Sequence, residues 1–72
     1  MNGLKQLRER KLLTQEQVAS ISGVSVATIS RIENGRVTPK YKTLRALAVV
    51  MDVPIDRVRE IISSKQRYLF DM

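Results

Sequence analysis

The chain has 72 residues, enough for one small domain but too few for a deep catalytic cleft and its supporting scaffold. It has no cysteine and no histidine, which excludes disulfides, thiolate metal sites and the commonest general base. Thirteen Lys and Arg against seven Asp and Glu give a net charge of +6, which favours a polyanionic partner, chiefly nucleic acid or an anionic membrane surface.

The apolar segments are too short for a membrane protein. The longest apolar run, 46–51, is far short of a membrane span, and the charged N-terminus lacks the apolar stretch of a secretory signal. We therefore expect a soluble, cytoplasmic protein. The sequence offers no motif for a metal, a cofactor or a small-molecule ligand.

Every long periodic segment predicts a helix and none alternates as a strand, so the predicted fold class is all-α with five helices. The first helix spans about 4–11, with Leu4 on its inner face. The second begins after Thr14, which forms a capping box with Gln17, and ends at Gly23. Its apolar residues are Val18, Ala19 and Ile21.

The remaining helices have clear starts and stops. Ser25 is the predicted N-cap of the third helix, and Asn34-Gly35 ends it. The fourth follows Pro39, the fifth starts around Pro54, and Ser63-Ser64 predicts a weakening of the fifth. The inner positions are Ile29 and Ile32 in the third helix, Leu44, Leu47, Ala48 and Met51 in the fourth, and Ile55, Val58 and Ile62 in the fifth.

The most informative segment joins the second and third helices through only three residues, Gly23-Val24-Ser25. So tight a turn forces the helices to cross steeply. Ala19 is small where the next helix passes, and Gly23 can adopt the positive φ that the turn requires. The residues of the third helix not needed for packing are Val26, Ala27, Ser30 and Arg31, which leaves them for a ligand. The alternative is an ordinary helical hairpin inside a bundle.

The stretch 13–54 resembles the phage-repressor and Cro-like helix-turn-helix family. The most specific residues are Leu13-Thr14-Gln15, Gly23-Val24-Ser25, Thr28-Ile29-Ser30, Ile32-Glu33-Asn34-Gly35, Pro39 and Thr43-Leu44. The resemblance covers residues 3 to about 62. It implies a compact five-helix DNA-binding domain with the helix-turn-helix at helices 2 and 3, whose third helix, about 26–34, enters the major groove. We take 1–64 as this domain and 65–72 as a C-terminal tail for dimerisation or docking.

The resemblance also implies roles for individual residues. Val26, Ala27 and Arg31 match base-contacting positions, and Gln15 matches a residue that binds a phosphate and braces the third helix. The other phosphate-contacting positions are Thr28, Asn34, Arg36 and Lys40. Two residues depart from the family pattern: Ser22 stands where a larger apolar residue is common, and Lys40 stands where a hydroxyl cap is usual.

Arg8 and Glu33 are charged residues at core-facing positions. Each lies four residues after an apolar residue of its helix's inner stripe, where a charge needs a partner. The resemblance implies an ion pair between the first and third helices, structural and without a catalytic role. The alternative is that both residues only border the core.

These features predict a sequence-specific transcriptional regulator, most simply a repressor, that binds double-stranded DNA as a homodimer on a dyad-symmetric operator. The candidates for the dimer contact are Ile61 of the fifth helix and Tyr68, Leu69 and Phe70 of the tail. The alternative is a protein-interaction module on the same scaffold, such as an antitoxin-like partner-binding protein. We do not expect an enzyme, because seven carboxylates without histidine or cysteine form no recognisable acid–base motif.

Overall fold

Five helices follow one another along residues 3–70, the part of the backbone that the computed structural model describes; side chains are described for residues 3–63. The helices are α1 (Leu4–Arg10), α2 (Gln15–Ser22), α3 (Val26–Glu33), α4 (Tyr41–Met51) and α5 (Ile55–Phe70). The described backbone contains no strand, and the predicted all-α, five-helix architecture is confirmed. No helix in this range is both long enough and apolar enough to cross a membrane.

All five helices contribute to one hydrophobic core. Its buried apolar side chains, among those described, are Leu4, Val18, Ile29, Ile32, Leu44, Leu47, Ala48, Met51 and Val58. Four of the nine come from α4, whose apolar residues recur at the spacing of one helix face. Burying a large apolar side chain stabilises a fold by roughly 1.5–3 kcal/mol. The α4 stripe is therefore the main support against which α2 and α5 pack, and α3 packs mainly against α2.

Both ends of α4 are fixed by the backbone rather than by a side-chain cap. Lys40 stands at the N-cap and its side chain makes no capping hydrogen bond. Asp52 ends the helix in the left-handed conformation at φ 59°. Because lysine has no acceptor for a helix N–H, the departure at Lys40 leaves the start of α4 without a side-chain cap.

One of the three apolar residues of α2 lies outside the core. Ile21 is 64 % exposed, whereas Val18 is fully buried. The helix has only two turns, and the inward direction set by Val18 returns four residues later, at Ser22. The Ser22 hydroxyl accepts a hydrogen bond from the Val24 N–H at 3.1 Å, so this small side chain supports the turn.

The fifth helix bears on two of the sequence expectations. Ile61, a candidate for the dimer contact, is half-buried and packs against the core beside Gly3, where an added Cβ would lie 2.8 Å from the Ile61 methyl group. Its role in a dimer stays a prediction. The helix continues past Ser63-Ser64 to Phe70, and the Ser63 hydroxyl donates to the Arg59 carbonyl at 2.9 Å. The expected weakening at these serines stays a prediction. The side chains of Tyr68, Leu69 and Phe70 lie outside the described residues, and the domain boundary at 64 stays a prediction.

Candidate nucleic-acid interface

The α2–α3 unit is held by caps at both helix starts and by a left-handed glycine between them. At α2, the Gln17 N–H donates to Thr14 Oγ1 at 3.0 Å and the Thr14 N–H donates to Gln17 Oε1 at 2.8 Å. Gly23 ends α2 at φ 79°. Ser25 caps α3 by accepting the Thr28 N–H at 3.1 Å. The predicted caps are confirmed, and they define where α3 starts relative to α2.

A buried ion pair ties the end of α3 to α1. Arg8 is 7 % exposed and Glu33 is 2 % exposed. Arg8 Nε donates to Glu33 Oε2 at 2.7 Å, and Arg8 Nη2 donates to Glu33 Oε1 at 3.2 Å. This two-bond geometry is the favourable one for an arginine and a carboxylate. The residues expected to pair therefore meet, rather than merely bordering the core.

Two further hydrogen bonds extend this pair to the start of α2. Gln15 Nε2 donates to Glu33 Oε1 at 3.1 Å, and Arg8 Nη1 donates to the Leu13 carbonyl at 2.9 Å. No buried side-chain nitrogen or oxygen among the described residues lacks a partner. The network thus offsets the cost of burying two charges and joins α1, α2 and α3 through polar contacts.

The hydrogen bond to Glu33 raises the pKa of Arg8 above its ordinary value, and this effect outweighs the opposing effect of burial. The Arg8 guanidinium therefore stays charged throughout the neutral range. A permanent charge suits a structural role, because the arginine does not lose its proton in the neutral range.

The opposite face of α3 is open to solvent. Val26, Ala27 and Arg31 are exposed, whereas Ser30 is half-buried. Ile29 and Ile32 pack α3 into the core, so the three exposed side chains are not needed for packing. The helix therefore presents a surface that is apolar near its start and positively charged near its end.

Hydroxyl groups at the start of α3 are arranged in a short chain. The Ser25 hydroxyl donates to Thr28 Oγ1 at 2.8 Å while accepting the Thr28 N–H. Thr28 therefore keeps its own O–H for an external acceptor. A phosphate oxygen is such an acceptor, and the N-terminus of a helix favours a negative charge.

Basic side chains surround the end of α3 and the loop that follows it. Arg31, Arg36, Lys40 and Lys42 are all exposed, and none is in an ion pair with a described carboxylate. Asn34, at the end of α3, is exposed as well and makes a long hydrogen bond of 3.5 Å to Ser30. Unpaired cations next to an open helix face form the electrostatic pattern expected for a polyanion.

Comparison with known proteins decides the family. Residues 4–58 match the helix-turn-helix protein family, which covers more than half of the chain. The chain belongs to the phage-repressor and Cro-like helix-turn-helix family. The recognised segment of this helix-turn-helix domain runs from the start of α1 to the buried Val58 of α5. It therefore includes every residue of the polar network and of the open α3 face.

Several relatives are similar to this helix-turn-helix domain. An uncharacterized HTH-type transcriptional regulator, RghRB of Bacillus subtilis (strain 168), is 50% identical over 56 residues, which cover 76% of this chain and 40% of the relative. The HTH-type transcriptional repressor RghR of the same strain is 50% identical over 54 residues, with 74% and 40% covered. The ImmF control region 10 kDa protein of Bacillus phage phi105 is 36% identical over 53 residues, with 74% and 59% covered.

The similarity is confined to a part of the longer relatives. The chain spans about 40% of the length of the two Bacillus regulators. No solved structure is a significant match to the chain.

Sequence reasoning missed the conformation that ends α1 of this helix-turn-helix domain. Leu12 adopts a left-handed backbone with φ 60° and is 88 % exposed. The Leu13 N–H donates to the Arg8 carbonyl and the Leu12 N–H to the Glu9 carbonyl, which is the Schellman pattern. That pattern usually has glycine at the left-handed position, so a sequence with leucine there gives no signal for it.

Proposed function

We propose that the chain is a sequence-specific regulator of transcription, acting as a repressor, that reads the major groove of double-stranded DNA with α3. The observation that carries this proposal is the contrast between the fixed inner face of α3 and its open outer face beside unpaired cations. The similarity to a transcriptional repressor and to a phage control-region protein supports the same function. Such a regulator acts where its operator lies, in the cytoplasm of a bacterial cell.

Base readout is assigned to three residues of α3. Val26 and Ala27 carry no hydrogen-bonding side chain and offer apolar contact, for example to a thymine methyl group. Arg31 is the polar reader, since a guanidinium donates two parallel hydrogen bonds to O6 and N7 of guanine. Each copy of α3 would then make one hydrogen-bonded base contact, through Arg31, and one apolar contact, through Val26 and Ala27.

Phosphate contacts are assigned to Gln15, Thr28, Asn34, Arg36 and Lys40. Gln15 uses one amide N–H on Glu33 and has a second one for a phosphate oxygen. Thr28 has its hydroxyl proton to donate, and Arg36 and Lys40 supply positive charge beyond the end of α3. Such contacts orient the domain on the duplex and contribute affinity that is independent of sequence.

We further propose that the chain binds as a homodimer on a dyad-symmetric operator. One short reading helix covers too few base pairs for high specificity, and a two-fold dimer reads two half-sites about 34–36 Å apart. Because Ile61 is packed beside Gly3, the tail 65–72 becomes the preferred candidate for the contact. Deleting 65–72 should lower the sedimentation mass and the affinity for the operator; an unchanged mass and unchanged cooperative binding would remove the tail from the interface.

The direct test of the proposed function is selection of bound sequences from random double-stranded DNA, using the full chain. We expect enrichment of one motif with dyad symmetry and half-sites one helical turn apart. A single recurring half-site without symmetry would contradict the dimer. No enrichment above the starting pool would contradict sequence-specific binding and favour the alternative of a protein-interaction module.

A further inference from the structure

A groove of about 280 Å³ lies between the end of α2 and α4. Of its lining residues, only Lys42 also belongs to the basic side chains beside the open face of α3. The apolar lining of the groove includes Ile21, which is 64 % exposed, and Val49, which is 73 % exposed. Ala46 of α4 also lines it. Single exposed apolar residues are common on protein surfaces, but here two large β-branched side chains line the same concave site.

The small size of Ser22 explains why the groove is open. Ser22 occupies the inward position of the last turn of α2 and lines the groove. Its hydroxyl group is used on the Val24 N–H, so no part of the side chain fills the space towards α4. A larger apolar residue at this position would project into the groove and close it.

The charged residues that line the groove are both basic. They are Lys42 and Arg45, exposed residues one turn apart on α4, and neither is in an ion pair with a described carboxylate. The site therefore combines an apolar groove with a positive border. The ligand that matches it must bring apolar side chains for the groove and negative charge for the border.

A second copy of this chain is a poor match. In a two-fold interface the same patch meets itself, so the basic border of one copy would face a surface that offers no carboxylate to pair with it. Like charges facing each other across an interface are costly. A DNA duplex is a poor match too, because phosphates would leave Ile21 and Val49 without apolar contacts.

We propose that this groove docks an acidic amphipathic helix of a partner protein. The apolar face of that helix lies on Ile21, Ala46 and Val49, and its acidic flank faces Lys42 and Arg45. Amphipathic helices bind apolar grooves through residues spaced at three and four positions, which suits a site between two helices. The base-reading residues of α3 do not line the groove, so a docked partner leaves them open to the operator.

The test uses NMR titration of the full, isotope-labelled chain with two synthetic helical peptides. One peptide has leucine on one face and glutamate on the other; the control has glutamine in place of each leucine and the same net charge. We expect the leucine peptide to bind roughly tenfold more tightly, a difference of about 1.4 kcal/mol. Its shifts should centre on the end of α2 and on α4. Equal affinities, or shifts centred on α3, would overturn the proposal.

Three variants of the full chain make the test specific. Val49→Ser removes an exposed apolar contact and should abolish the advantage of the leucine peptide. Ser22→Leu fills the groove without changing charge and should have the same effect. Val37→Ser is the matched control, since Val37 is an exposed valine that does not line the groove, and it should leave the advantage intact.

Two outcomes with these variants would count against an acidic partner helix. If Val49→Ser and Ser22→Leu kept the tenfold advantage, the groove would not be the binding site. If the wild-type chain sedimented as a dimer and Val49→Ser converted it to a monomer, a second copy would occupy the groove instead. A monomeric wild type, or a dimer unaffected by Val49→Ser, supports the proposed occupant.

Discussion

The two faces of α3 differ in how deeply their side chains are buried and in how those side chains are held. The inner face has Ile29 and Ile32 fully buried and Glu33 held by Arg8 and Gln15. The outer face has Val26, Ala27 and Arg31 open to solvent. A substitution on the inner face must therefore change the stability of the fold, whereas a substitution on the outer face can change which ligand binds without changing the fold. The following predictions test whether these two roles separate as cleanly as the structure implies.

The largest expected effect follows loss of Glu33. Glu33→Ala leaves the buried Arg8 without its carboxylate, and removing one partner of a buried ion pair costs roughly 3–5 kcal/mol. Chemical denaturation of both proteins measures the change in the free energy of unfolding. The matched control is Glu60→Ala, which breaks an exposed pair of 3.8 Å with Arg57 and should change stability by no more than about 1 kcal/mol.

The interaction itself is measured by a double-mutant cycle. Arg8→Ala, Glu33→Ala and the double variant should show strongly non-additive losses, because the second substitution removes a charge that the first has already stranded. A coupling energy near zero would mean that the two side chains do not stabilise each other. In that case the polar network could not be what fixes the inner face of α3.

The next largest effect concerns the outer face and appears in binding. Arg31→Ala should weaken binding to the selected operator by about 1–3 kcal/mol and relax the preference at one base pair. Its free energy of unfolding should stay within about 0.5 kcal/mol of the wild type, since Arg31 is exposed. If the variant preferred the same site and bound all DNA more weakly, Arg31 would be a phosphate contact instead of a base contact.

Gln15 stands at the boundary between the two roles and should show both effects in smaller measure. Gln15→Ala removes the hydrogen bond to Glu33, which costs about 0.5–1.5 kcal/mol of stability. It should also lower the affinity for all DNA sequences alike, because a phosphate contact carries no base preference. Gln6→Ala, at an exposed position of α1, is the control and should change neither property. A Gln15→Ala protein with full affinity would confine Gln15 to a structural role.

The smallest effect is a gain in stability at a position remote from both faces. Leu12→Gly removes the strain of a left-handed leucine, which stabilises the fold by about 1–2 kcal/mol. Glycine also loses more backbone entropy on folding, which destabilises the fold by about 0.5–1 kcal/mol. We expect the free energy of unfolding, measured by thermal unfolding, to rise by about 0.5–1 kcal/mol and the operator affinity to stay unchanged. Asp52→Gly, at the equivalent place after α4, should gain less, since aspartate tolerates this conformation better. A destabilised Leu12→Gly protein would show that the exposed leucine has a packing role.

Most of the fold was predictable from local rules, because caps and apolar spacing agree with each other. Thr14, Gln17 and Ser25 cap the helices that their residue types indicate, and the α4 stripe is buried as its spacing predicts. The direction of Ile21 was not predictable, because two helical turns are too few for an apolar pattern to define a face. Leu12 was missed because the tight connection from α1 to α2 imposes a conformation that its own preferences oppose.

The candidate site was predictable in part. The pairing of Arg8 with Glu33 follows from charges at core-facing positions together with the family resemblance, and the structure joins them. The third member of the network, Gln15, follows from the family resemblance, which implies that it braces the third helix, and its hydrogen bond to Glu33 joins α2 to α3. The DNA contacts of Val26, Ala27 and Arg31 depend on how the domain docks in the groove, which no local sequence rule specifies, so these roles stay predictions.

The central claim is that the outer face of α3 chooses the DNA sequence while the inner face only holds the helix. The most direct measurement is selection from random DNA with a chain carrying Val26→Gln and Ala27→Gln, compared with the wild type. Glutamine donates and accepts at the major-groove edge of adenine, so the selected motif should change to adenine at the bases these residues face. The base read by Arg31 and the stability of the fold should stay as in the wild type. Recovery of the wild-type motif by the variant would contradict the claim.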